Sequence, residues 1–222
     1  MAGGRYCVVI PAFNAGKTLG DLVRQVKLQE LPVLVVDDGS QDQTASVAAA
    51  QGATVISHLK NEGKGSALRT GFAYAMRSPY DGVITMDGDG QHDPTEIPRL
   101  IAAGEHQHAG IVLGNRMADG NAIPSLRRWT NWLMSRIVSS VSRQRIPDSQ
   151  CGFRLIRREV LASVALTANG FDIETELLLA AGRKKWKMIS VPVRAIYRRQ
   201  ASHIQPVRDG IRFLRVVARY LA

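Results

Sequence analysis

The chain has 222 residues, 45% hydrophobic and 22% charged, as in an ordinary globular domain with a real core, and its two cysteines, Cys7 and Cys151, exclude a disulfide framework. No run approaches the ~18–20 apolar residues needed to span a bilayer, and the start MAGGRYCVVIPAF is too short in apolar residues for a signal peptide, so a cytoplasmic protein is expected, soluble or held at a membrane surface. The formal net charge of +10 implies an anionic partner: nucleic acid, an anionic membrane face or phosphorylated substrates.

The first predicted element is an apolar strand over 7–12, and it runs into PAFNAGKT. That ending matches the tail of a phosphate-binding P-loop, but Pro11 stands where the first glycine belongs. Proline has a fixed φ and no N–H to offer a phosphate. Gly16-Lys17-Thr18 is therefore read as the start of a helix reaching 29, with Leu19, Leu22, Val23, Val26 and Leu28 apolar. A second strand over 33–37 ends in Asp37-Asp38-Gly39-Ser40. An acid there can accept hydrogen bonds from a base or ribose, while Ser40 or Asp42 can cap the helix over 42–50.

A third strand over 54–58 leads to Asn61-Glu62-Gly63-Lys64-Gly65-Ser66, before a helix over 66–76. The glycines and Lys64 suit either a phosphate at a helix N-terminus or a plain capping loop. A fourth strand over 82–87 ends in Asp87-Gly88-Asp89-Gly90-Gln91. Two carboxylates two residues apart, with glycines that permit a tight turn, can converge on one cation, and oxygen donors beside a pyrophosphate suit Mg²⁺ or Mn²⁺. The alternation of strand and helix predicts an open α/β sheet, whose ligands bind at the carboxyl ends of its strands. PAFN, DDGS and DGDGQ all fall there.

After GIVLGNR at 110–116 the pattern changes and basic residues crowd the chain. Arg116 falls on the same rim, where with Arg127, Arg128, Arg198 and Arg199 it can neutralise a diphosphate. A helix over 125–141 carries Leu126, Trp129, Leu133, Ile137 and Val141 on one stripe, flanked by Trp132 and Arg136. It suits a membrane interface or an ordinary core-packing helix. A further helix is expected over 171–181, then a strand in ISVPVRAIY near a sheet edge, because Pro192 cannot donate to a ladder. The last helix, 207–221, places Val207, Ile211, Leu214, Ala218 and Leu221 on one face and Arg208, Arg212, Arg215 and Arg219 on another. Cys151 lacks the histidine and acid of a catalytic thiol, and His92, His106 and His108 form no zinc pattern. With the aspartates mostly early and the arginines late, residues 1–116 and 117–222 read as two functional halves of one domain.

Taken together, VVIPAFNAGKTL, VLVVDDGSQDQT, NEGKGSALRTGF, VITMDGDGQHDP, LGNR, DSQCGFRLI and GFDIETELL resemble glycosyltransferase family 2, the inverting enzymes of the GT-A fold. Within it, DGDGQHDP followed by LGNR and DSQCGFR looks most like the dolichyl- or polyprenyl-phosphate glycosyltransferases. The resemblance implies a single α/β domain with a Rossmann-like, mostly parallel central sheet flanked by helices. It implies that Pro11, Phe13 and Asn14, with Asp37 or Asp38, hold the base and ribose of a nucleotide sugar. It assigns Asp87, Asp89 and Gln91, around Gly88, to Mg²⁺ or Mn²⁺ and the diphosphate, and Arg116 to the phosphates. The DSQCGFR loop and the amphipathic helix before it would receive a lipid phosphate, and Arg199 and His203 fall near basic family positions. Two departures stand out: Ala15 replaces an acid, and His203 stands where a lysine is common.

A phosphate acceptor is already anionic and needs positive charge rather than a general base, which the arginine-rich second half suits. The main competing reading is transfer to a hydroxyl of a glycan or glycolipid, with Asp148 or Glu174 as base. A P-loop nucleoside triphosphatase lacks its loop here, and a nucleic-acid-binding module lacks any signature.

Overall fold

The structure is a computed structural model and describes residues 4–118, 125–194, 196 and 206–221. The elements are β1 (Tyr6–Ala12), α1 (Gly16–Lys27), β2 (Val33–Asp37), α2 (Thr44–Ala50), β3 (Thr54–Ser57), α3 (Lys64–Arg77), β4 (Gly82–Thr85), α4 (Ile97–His106), β5 (Ile111–Asn115), α5 (Ser125–Ser142), β6 (Arg154–Arg157), α6 (Arg158–Ser163), α7 (Ile173–Arg183), β7 (Met188–Pro192) and α8 (Pro206–Leu221). The strands form one sheet in the order β3-β2-β1-β4-β6-β5-β7. All pairs are parallel except those of β6, which runs antiparallel to both β4 and β5. β7 is an edge strand, as Pro192 requires.

Successive residues of a strand face opposite sides of the sheet, so a strand buried on both sides must be apolar throughout. In β1, Cys7 and Val9 join a core with Leu68 and Phe72 of α3, Leu177 and Leu178 of α7 and Val216 of α8. Val8 and Ile10 join the opposite core with Leu19, Leu22 and Val23 of α1 and Ile97 and Leu100 of α4. This is an α/β domain of the GT-A type, with helices on both faces of a mostly parallel sheet.

Three elements go beyond those expected from the sequence. Neither α4 nor α6 is among the predicted helices. DSQCGFR reads as a loop, but Arg154 already begins β6. The sequence leaves open whether the apolar stripes of two helices face the core or a membrane surface, and in α5 the stripe divides, with Ile137 and Val141 packed against the core. In α5 the buried positions are Asn131, Ser135, Val138 and Ser142, while Trp129, Trp132 and Leu133 are 58%, 49% and 39% exposed. In α8 the inward side chains are Phe213, Val216 and Val217, and the predicted stripe is outward, with Ile211, Leu214 and Leu221 at 47%, 59% and 70%. α8 has two apolar faces, and the one carrying Phe213 and Val216 packs on α7.

Candidate active site

The loop after β4 docks on the start of α1 through Thr18 Oγ1, which donates to the Gly88 carbonyl at 2.8 Å. Asp87 and Asp89 leave this loop side by side. Asp87 Oδ1 takes a salt bridge from Lys64 Nζ at 2.6 Å, and Oδ2 lies 3.5 Å from His92 Nε2. Burial alone would raise the Asp87 pKa, but the Lys64 ammonium and His92 outweigh it and hold the carboxyl well below the usual range. Asp89 is the reverse case: burial, then the charge of Asp87, push its pKa up. Its Oδ1 accepts the Gln91 backbone N–H at 2.9 Å.

Among the described residues no three His, Cys, Asp or Glu side chains converge as a closed metal cage. Asp87 and Asp89 are nevertheless a fitting pair for a hard divalent cation. Both are oxygen donors, and the charge of Asp87 raises the Asp89 pKa, a strain that a cation would relieve. A two-carboxylate site leaves coordination positions for phosphate oxygens and water, the habit of Mg²⁺.

Backbone closeness shapes the pocket around Asp87. A Cβ on Gly152 would fall 2.5 and 2.6 Å from the two Asp87 carboxylate oxygens. The Gly152 carbonyl also accepts the Thr85 hydroxyl at 2.7 Å, so the loop before β6 is fastened to the end of β4. His92 is almost fully buried and stacks on Phe153, with ring centroids 5.4 Å apart. Among the described residues its ring nitrogens have no hydrogen-bond partner closer than Asp87.

On the nucleoside side, the loops after β1 and β2 are laced together. Asn14, at φ 50°, donates its backbone N–H to Ser40 Oγ and accepts from the Gln41 N–H through Oδ1, both at 2.9 Å. Asp42 Oδ2 accepts from the Gly16 N–H at 3.0 Å, and Thr44 Oγ1 accepts from the Ala15 N–H at 2.8 Å. Pro11 is buried within β1, with Phe13 half-buried beyond it. Asp37 Oδ1 accepts from the Ser40 N–H at 3.1 Å. Asp38 is committed elsewhere: it accepts the Glu62 and Gly63 N–H groups at 3.0 and 2.7 Å and pairs with His58 Nδ1 at 2.8 Å. It positions the loop that carries Lys64 instead of facing outward. Gly63 is required there, because at φ 102° a Cβ would meet the Asn169 carbonyl at 2.4 Å.

Lys64 is correspondingly not presented as an open phosphate ligand at a helix N-terminus. It sits between Asp87 and Glu174, whose Oε1 accepts from Nζ at 3.0 Å. Two opposed carboxylates outweigh the effect of burial and hold its pKa above the ordinary lysine range. Arg116 lies at the end of β5, 6% exposed, with Nε and Nη2 donating to Asp148 Oδ2 and Oδ1 at 2.9 and 3.1 Å. Its place on the rim is legible in the sequence, but this partner is not. Arg154 is missed altogether: it is 1% exposed, and its donors reach the carbonyls of Cys151, Glu174 and Ser149 at 2.8, 2.8 and 2.7 Å. In a run as basic as FRLIRRE, nothing in the letters separates this buried arginine from solvated ones.

The profile of glycosyl transferase family 2 matches residues 7–164, which include both carboxylates, Arg116 and the Gly152 loop. The chain belongs to glycosyltransferase family 2. This family 2 glycosyltransferase is 31% identical over 92% of its length to 68% of the glycosyltransferase AglJ of Haloferax volcanii. It is 27% identical over 87% of its length to 84% of an undecaprenyl-phosphate mannosyltransferase of Micrococcus luteus. In fold it is similar to the glucosyl-3-phosphoglycerate synthase of Mycobacterium tuberculosis in complex with Mn²⁺, UDP and glucosyl-3-phosphoglycerate, with a TM-score of 0.72 and 23% identity, over 99% of this chain and 79% of that one.

Beside the transferase's rim, Met117, Arg128, Trp129 and Trp132 line an open groove of about 260 Å³. The Arg136 guanidinium lies 5.7 Å from the Trp132 ring centroid. No helix among the described residues is long and apolar enough to cross a membrane. The Arg127 side chain, Arg198, Arg199 and His203 lie outside what the structure describes.

Proposed function

We propose that this glycosyltransferase moves a hexose from a GDP- or UDP-linked donor to the phosphate of a polyprenyl or dolichyl phosphate, with inversion at C1, while bound peripherally at the inner face of a membrane. The observation that carries the choice of acceptor is that the two carboxylates which the hydroxyl reading would use as base are already paired. Asp148 is fully buried on Arg116, and Glu174 is held by Lys64 and 8% exposed. A hydroxyl acceptor needs a proton removed, and a phosphate does not. The relative named as an undecaprenyl-phosphate mannosyltransferase supports the same acceptor class.

A divalent cation, Mg²⁺ or Mn²⁺, would be held by Asp87 and Asp89 with Gln91 beside them, and when bound it supplies Lewis-acid stabilisation of the departing diphosphate. An acceptor phosphate oxygen forms the new bond to C1, the bond from C1 to the diphosphate oxygen breaks, and the electron pair leaves with the nucleoside diphosphate. Residues 1–116 serve the donor: Pro11, Phe13, Asn14 and Asp37 line the nucleoside pocket, with Asp38 holding the Lys64 loop behind them. Arg116 contributes positive charge at the phosphates from a position fixed by Asp148. Residues 117–222 serve the acceptor, with Arg128, Trp129 and Trp132 meeting the lipid at its headgroup. Arg127, Arg199 and His203 are assigned to the acceptor phosphate by resemblance alone.

The test is a donor screen with GDP- and UDP-sugars against membrane-extracted polyprenyl phosphate, following radiolabelled sugar into the lipid phase. Asp89→Asn is expected to lower transfer by about 10²–10³-fold, the scale of losing one main electrostatic contact to the developing charge. Unimpaired transfer by that variant would remove the metal role, and label entering only water-soluble glycans would remove the lipid acceptor.

A further inference from the structure

Lys64 Nζ stands between carboxylates from two parts of the chain: Asp87 after β4 at 2.6 Å and Glu174 in the first turn of α7 at 3.0 Å. Its side chain is 14% exposed, with Nζ 5.4 Å from the Phe171 ring centroid. The Asp87 side chain keeps 26% exposure, while Gly152 closes in behind both oxygens and His92 Nε2 faces Oδ2 at 3.5 Å. A divalent cation that binds Asp87 therefore meets an ammonium already hydrogen-bonded to Oδ1. Like charges a few ångströms apart in a half-buried site repel strongly. Glu174 offers the ammonium a place that needs no new contact, since Lys64 is already bonded to it.

Resting on the metal reading above, we infer that Lys64 is an exchangeable internal cation: it neutralises Asp87, yields that carboxylate to the incoming divalent metal and nucleotide, and keeps Glu174 as its partner. Lys64 is thus a positioning residue acting through Asp87 and Glu174. The exchange keeps Asp87 compensated at every stage.

The experiment measures Mn²⁺ affinity by calorimetry, with GDP and with UDP, for the wild-type chain, Lys64→Met and Glu174→Gln. Removing the competing ammonium is expected to tighten Mn²⁺ binding about tenfold, and tying the ammonium to Asp87 alone is expected to weaken it about tenfold. If the wild type binds Mn²⁺ and Lys64→Met binds it equally or more weakly, the exchange is overturned while the metal reading stands. A wild type that binds no Mn²⁺ with either nucleotide overturns both. A crystal structure of the wild type with Mn²⁺ and the nucleotide decides the matter even if Lys64→Met does not fold. Nζ is expected against Glu174 and out of hydrogen-bond range of Asp87, and an intact contact to Asp87 Oδ1 would overturn the inference.

Discussion

At the ends of β1, β2 and β4 the polar groups are spent on one another, whereas along α5 and α8 large side chains are turned outward. Asn14, Ser40, Asp42 and Thr44 close a web between two loops, and Thr18 ties in the third. On the other side Trp129, Trp132, Ile211 and Leu214 lie exposed, with arginines between them. Stabilising a leaving diphosphate requires donors already fixed before charge develops. An acceptor with a long apolar tail is met better by a surface of amphipathic side chains than by a rigid cage. The contrast thus matches the two substrates proposed.

The first way to break this comparison is to disturb the fixed side by one methyl. Gly152→Ala places a Cβ 2.5–2.7 Å from the Asp87 carboxylate, so the carboxylate or the loop must move. Misplacing a catalytic group by about 1 Å costs on the order of 10²-fold, and a loss of that size in kcat/KM is expected, with the circular dichroism spectrum unchanged. Wild-type kinetics in this variant would mean that the donor side is as adaptable as the acceptor side.

The second prediction tests the outward-facing side and is smaller. Trp129→Ala with Trp132→Ala is expected to raise KM for polyprenyl phosphate in vesicles about tenfold, as exposed aromatics lose membrane contact. Binding of the nucleotide and the melting temperature should hardly change, because neither tryptophan is in the core. A collapse in stability would instead show that this face is packed against part of the protein itself.

Legibility in the sequence divides along the same line. The expected bounds of β2 match the structure to the residue and those of β1 to within one, because strands buried on both faces must be apolar throughout. α4 is absent from the predicted helices although Ile97, Leu100, Ile101 and Gly104 keep helical spacing. Pro94 and Pro98 obscure it, because proline reads as a breaker until its place in the first turn is known. The inward face of α8 is ambiguous because two apolar stripes compete on one helix, and only the tertiary partner chooses between them. Asp87 and Asp89 are visible as a cluster, but their partners are not. Lys64 and Glu174 are 110 residues apart, and Arg116 and Asp148 are 32 apart. Charges paired at such separations are in the letters only as unpaired charges. Asp38 shows the same limit, for an acid at a strand end looks alike whether it serves a ribose or a neighbouring loop.

The smallest expected effect concerns the two cysteines, one early and one late in the chain. Cys7 lies in β1, and Cys151 lies beside Gly152 in the loop before β6; burial pushes their pKa values up to about 11 and about 12. Thiolate is the reactive form, so at pH 8 only about one part in 10³ and 10⁴ of these groups is available, behind closed packing. Native protein should give no thiol reaction with an aromatic disulfide reagent at that pH, and unfolded protein should give two equivalents. Because both folded values are raised, the thiols favour the folded state fully below their ordinary pKa near 9, and that contribution is lost as pH rises towards 11 and 12. Melting temperatures should therefore fall above about pH 9, less steeply in Cys151→Ala. The order of labelling under mild denaturant then sharpens the contrast. Arg154 pins the carbonyls of Ser149 and Cys151, so this loop belongs with the fixed side although it lies late in the chain. If Cys151 reacts long before Cys7, that assignment fails, and the boundary between fixed and adaptable regions falls before Asp148 instead of after Arg154.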